Sequence, residues 1–88
     1  MKIIWKFPIL RIVSSQTVEI PQDGMILHVG VQDNGLCLWA LVDSDAPMVV
    51  HHFRIVGTGH PADDLKAHQH IGSVLIGPFV WHVFEETA

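Results

Sequence analysis

The sequence predicts an all-β domain: a small antiparallel sandwich or barrel of about seven short strands, with at most one short helical turn. Three observations predict it. Apolar residues recur with period two almost everywhere, as one face of a pleated strand requires. Turn residues punctuate these runs at spacings of roughly 8–12 residues. No long segment carries 3.6-residue periodicity, which excludes a doubly wound α/β domain.

The elements follow in order. Ile3, Trp5 and Phe7 alternate with Lys2, Ile4 and Lys6, a strand with its odd positions inward that Pro8 ends or confines to a sheet edge. Val18 and Ile20 alternate with Thr17 and Glu19 before a turn at Pro21-Gln22-Asp23-Gly24. Met25, Leu27, Val29 and Val31 form the clearest alternation. Asn34-Gly35 then reads as a type I′ hairpin turn, since both residues tolerate positive φ. That turn pairs Val31 with Leu38, Val29 with Ala40 and Leu27 with Val42, and it places Ile26, Trp39 and Leu41 on the opposite face. Three large apolar side chains on a solvent face need a cover, either a second layer or another copy of the chain.

After the loop Asp43-Ser44-Asp45-Ala46-Pro47, residues 49–56 form a strand with Val49, His51, Phe53 and Ile55 on one face and Val50, His52, Arg54 and Val56 on the other. Residues 57–68 lack clear periodicity, and Pro61 allows one helical turn to Lys66. Residues 71–76 and 79–84 are two further strands around Gly77-Pro78, and a polar tail follows to Ala88.

Composition bounds the function. Eighty-eight residues make one domain, 1–88, with a core small enough to gain from association. Five Lys and Arg stand against nine Asp and Glu, a net charge of −4, which argues against a nucleic-acid partner. No apolar run reaches membrane-helix length, and no signal peptide is expected at the N-terminus. The single Cys37 fits a reducing compartment, so the expected setting is cytoplasmic.

The most distinctive loop is Gly57-Thr58-Gly59-His60-Pro61. Its glycines permit close approach and unusual φ, and its amides suit an anion-holding nest; equally, it is a strand end closing in a glycine turn. It is no dinucleotide fingerprint, because the third glycine and the long helix are missing. His52 and Arg54 share the strand face leading into it, and a guanidinium fork suits phosphate or carboxylate. The ligand-binding candidates are therefore His52, Arg54, Gly57, Thr58, Gly59 and His60, and the interface candidates Ile26, Trp39 and Leu41. Seven histidines show no recognised metal spacing, and His51 and His52 point to opposite faces. No metal, cofactor or catalytic residue is expected: Cys37 lies in an apolar strand, and Ser73 lies in no nucleophile elbow.

Four blocks carry a resemblance: Ile4-Trp5-Lys6-Phe7-Pro8, Cys37-Leu38-Trp39-Ala40-Leu41-Val42-Asp43, Phe53-Arg54-Ile55-Val56-Gly57-Thr58-Gly59-His60-Pro61, and His82-Val83-Phe84-Glu85. Together they resemble a family of small proteins from tailed bacteriophages and prophages, over nearly the whole chain. The resemblance implies an accessory phage protein in the host cytoplasm, commonly a homo-oligomer, and in some cases one that counters host defence. Three functional expectations follow. The first is a non-catalytic oligomeric module that sequesters a nucleotide-like anionic small molecule. The second is a protein-binding inhibitor of a host defence protein, or a structural phage protein, acting through an apolar β surface. The third is a small histidine- or metal-dependent enzyme.

Overall fold

The computed structural model describes residues 1–9 and 14–87. Seven strands run through them: β1 (Lys2–Ile9), β2 (Ser15–Pro21), β3 (Met25–Gln32), β4 (Gly35–Asp43), β5 (Met48–Gly57), β6 (His68–Ile76) and β7 (Phe79–Glu86). They form a three-stranded sheet ordered β1-β4-β3 and a four-stranded sheet ordered β2-β5-β7-β6, with every pairing antiparallel. The two sheets are not closed into a barrel. No helix forms among the described residues: the stretch after Pro61 folds as turns at 63–64 and 66–67. Asp64 and Leu65 are tied to β-sheet residues there, and that competes with a helical turn.

The core sits between the central strands. Leu36, Leu38, Ala40 and Val42 of β4 are all at most 1% exposed, and they meet Ile20, Phe53, Ile55, Val74 and Val83 of the larger sheet. Their alternation is the reason β4 is flanked on both sides, since only a central strand buries a whole face without an edge to solvate. β1 takes the edge, as Pro8 requires, yet pairing continues past the proline to Ile9 opposite Leu36. Its inward Trp5 and Phe7 pack against the core cluster.

The hairpin differs from its expected register. Positive φ falls on Asp33 (54°) and Asn34 (62°), so these two are the central turn residues and Gly35 opens β4 opposite Gln32. Val31 therefore faces Leu36 and Val29 faces Leu38, two residues away from the expected partners but with the same faces. Aspartate tolerates the left-handed region almost as well as asparagine, so the motif admits either frame.

A β-bulge between Ile26 and His28 makes the second correction. It leaves Leu27 without a partner and inverts the alternation beyond it. Ile26 pairs with Ala40 and packs against the core instead of standing on the outer face, while Met25 and Leu27, expected inside, are 57% and 48% exposed. Trp39 and Leu41 remain on the outer face, with Lys6 and Ile4 beside them on β1 and His28 and Met25 on β3.

The sheets meet most closely where β6 passes β3. A Cβ on Gly72 would lie 2.8 Å from Val29 Cβ, closer than real side chains come. Gly72→Ala is expected to destabilise the fold by roughly 1–3 kcal/mol through overpacking, measured by denaturant unfolding. The other end of the small sheet is tied by charge. The Met1 ammonium donates to Asp43 at 3.0 Å and Asp45 at 3.3 Å, and both contacts raise it above its ordinary 8.0. Asp43 is lowered below its ordinary 3.8, first by the Asp45 backbone N–H and then by the ammonium. The ammonium's contribution is complete below 8.0 and lost as pH rises through its higher folded value; the carboxylate's is complete above 3.8 and lost as pH falls through its lower one. Amide exchange at the Lys2–Asp43 pair should therefore be slowest relative to the intrinsic rate between those limits and accelerate outside them.

Candidate functional site

The even residues of β5 place His52, Arg54 and Val56 together on the outer face of the four-stranded sheet. Thr58 to His60 continue from the end of that strand. Strand rise puts Arg54 and Thr58 about 13 Å apart along the chain. Among the clefts beside these residues, two lie on this face. One, about 420 Å³, is lined by Ser15, Thr17, His52, Arg54, Asp64, His68 and Glu86, among others. The other, about 250 Å³, is lined by Val56, Gly57, Thr58, Gly59, His60 and His82, with Ala62 and Phe84.

Arg54 is already engaged. Its side chain is only 17% exposed, it forms an ion pair with Asp64, and its Nε–H donates to the Ser14 carbonyl at 2.7 Å. The same carbonyl accepts the Ile55 amide at 3.1 Å. Arg54 thus fastens the start of β2 and the long β5–β6 loop to one strand. A guanidinium with a carboxylate on one side and a carbonyl on the other has little positive potential left to offer. Two acids, Asp64 and Glu86, share its cleft.

The glycine loop is committed as well. The Thr58 amide donates to the Val80 carbonyl at 3.2 Å, the His60 amide donates to Gly57 at 3.0 Å, and Pro61 has no N–H. An anion nest needs consecutive free amides, and this loop lacks them. Both glycines serve the loop's own packing. The His60 ring lies where a Gly57 Cβ would be, 2.8 Å away, and meets Trp81 edge-on at 6.1 Å; Gly59 takes φ of 87°.

Two features were not read from the sequence. His68 lines the larger cleft with its Nδ1 buried and without a partner. Thr58, His82, Ser73 and His70 form a continuous hydrogen-bonded chain on the same outer face. His68 and His70 were recognisable as same-face residues if β6 starts early, which it does. On the inner face, His51 Nδ1 lies 2.5 Å from Glu85. Among the described residues no group of three or more His, Cys, Asp or Glu converges on a metal position.

Because Asp64 is largely exposed, its share of the Arg54 interaction is small, on the order of 1 kcal/mol or less. The bond to the Ser14 carbonyl is charge-assisted and worth about 1.5–3 kcal/mol. Arg54→Ala is thus expected to lower stability more than Asp64→Asn does, while both increase proteolytic cleavage within residues 58–67. Thermal melts and limited proteolysis of the two variants check this order.

No curated protein and no solved structure matches the chain. A family model matches it from end to end, residues 1–88, and on that match the chain belongs to the family described as domain of unknown function (DUF7352).

Proposed function

We propose that the chain is a non-catalytic binding module, a small phage or prophage accessory protein of the host cytoplasm, and that it works as a homo-oligomer through the outer face of its three-stranded sheet. One observation carries the reading. Ile4 (56% exposed), Leu41 and Met25 form a row across all three strands, beside the half-buried Trp39. Residues of this kind in adjacent rows make a patch that water solvates poorly and that proteins use as contact surfaces. Lys6 and His28 flank Trp39, a polar margin that fits an interface rim. A host defence protein could be captured by the same apolar surface, which is the counter-defence form of the reading.

A second reading is supported by His68. A buried, partnerless ring nitrogen beside His52 and Arg54 favours a polar small molecule in the larger cleft, such as a nucleotide-like anion. It ranks second because the cleft's arginine is already paired and two carboxylates line the same space.

Native mass spectrometry of gently purified protein separates these. An oligomer that becomes a folded monomer in the Ile4→Glu, Met25→Glu double variant, its strand content by circular dichroism retained, is the expected outcome. A monomeric wild-type chain at micromolar concentration removes self-association. An organic adduct that disappears in Arg54→Ala promotes the second reading.

A further inference from the structure

The chain of four polar side chains on the outer face of the larger sheet serves neither the apolar surface nor the Arg54 cleft. Thr58 Oγ1 lies 2.7 Å from His82 Nε2, His82 Nδ1 lies 2.8 Å from Ser73 Oγ, and Ser73 Oγ lies 2.9 Å from His70 Nε2. Ser73 is the direct cross-strand partner of His82, and His70 is opposite Phe84. In a regular strand, residues 70 and 73 point to opposite faces, because their separation is odd. The bulge between His70 and Gly72 inserts one extra residue and brings both to the same face. Two imidazole nitrogens from neighbouring strands therefore converge on a single point, the Ser73 hydroxyl.

We propose that His70 and His82 form a two-histidine site for a borderline divalent transition-metal ion such as Zn²⁺, with Thr58 holding His82 in the ligating tautomer. Proton placement supports it. A ligating imidazole presents a lone pair to the metal and keeps its proton on the other nitrogen. In the ligating state Thr58 Oγ1 accepts from Nε2–H of His82, and Nδ1 of that ring, which otherwise bonds to Ser73, is the donor atom. The two rings turn outward from the Ser73 hydroxyl, so that an ion between them clears the Ser73 Cβ. Each nitrogen then exchanges its hydrogen bond to Ser73, 2.8 or 2.9 Å long, for a metal–nitrogen bond of roughly 2.0–2.1 Å. His70 is exposed and His82 half-buried, so neither ring is locked by packing. Water completes the coordination, and an ion held by two imidazoles in this way binds more weakly than one in a closed four-ligand zinc site.

Two other chemistries fit less well. An oxyanion here meets two imidazoles, their ring centroids 6.4 Å apart, with no Lys or Arg in the chain of four, whereas a chain of net charge −4 favours a cation. Acyl transfer to Ser73 needs a carboxylate or other group orienting the histidine base, and the hydrogen bonds of His70 and His82 run to hydroxyls.

The test is titration of the full chain with Zn²⁺, following imidazole ¹⁵N shifts by NMR. The expected result is saturation at one equivalent, with His70 Nε2 and His82 Nδ1 shifting before the rings of His28, His51 and His52. Binding should be lost in His82→Ala and in His70→Ala, the latter altering only an exposed side chain. It should persist in Ser73→Ala and weaken by about tenfold in Thr58→Val, the size of a typical outer-shell effect. No shift, equal shifts across all the histidines, or shifts unaltered in His70→Ala would overturn the proposal.

Discussion

The closest approach between the two sheets, Gly72 against Val29, is the constraint on which the rest of the structure depends. Only a residue without a side chain lets β6 lie this near β3, and the contact sets how the sheets are stacked. Both strands carry a bulge within a few residues of it, between Ile26 and His28 on β3 and between His70 and Gly72 on β6. Each bulge bends its strand and inverts the alternation on one side, so that a sandwich of only seven strands can fill its interior. The bulge on β3 brings Ile26 into the core, and the one on β6 sends His70 outward.

The consequences reach both outer faces. On the small sheet, β4 spends one complete face on the core, and the other face keeps Trp39 and Leu41 with Ile4 and Met25 alongside. A short chain with so apolar a composition has more large side chains than one thin interior accommodates, and part of the surplus falls on this sheet. On the large sheet the outer face carries a bonded polar network, with Arg54 fastening three segments and the histidine–serine–threonine chain crossing from β5 to β6, beside the exposed Val50 and Leu75. The polar network and the Trp39–Leu41 surface thus lie on different sheets, and they are suited to different partners.

The engagement of Arg54 shows why residue type alone misleads about binding. An arginine on a strand beside a glycine loop has the chemistry to hold phosphate. What it does depends on whether a carboxylate from ten residues away reaches it first. Asp64 does, and the Ser14 carbonyl takes the Nε–H. The same holds for the loop: Gly57 and Gly59 have the conformational freedom expected of them, but the freedom is used to seat His60 on Trp81 rather than to expose amides.

Local pattern determined the all-β class, the seven strands, the inward face of β4 and the opposite directions of His51 and His52, because period-two alternation and turn chemistry are properties of short stretches of chain. Tertiary structure alone decided the turn frame at Asp33–Asn34, the two bulges and the partners of Arg54. An Asp-Asn-Gly run allows two turn frames of similar local energy, and packing Val29 and Val31 onto Leu38 and Leu36 selects one of them. A bulge costs little locally and is placed by the need to fit two twisted sheets together. The histidine chain depends on such a bulge, and so it could not be read from a spacing of residues; it exists only once β6 and β7 are paired and one extra residue has turned His70 toward Ser73.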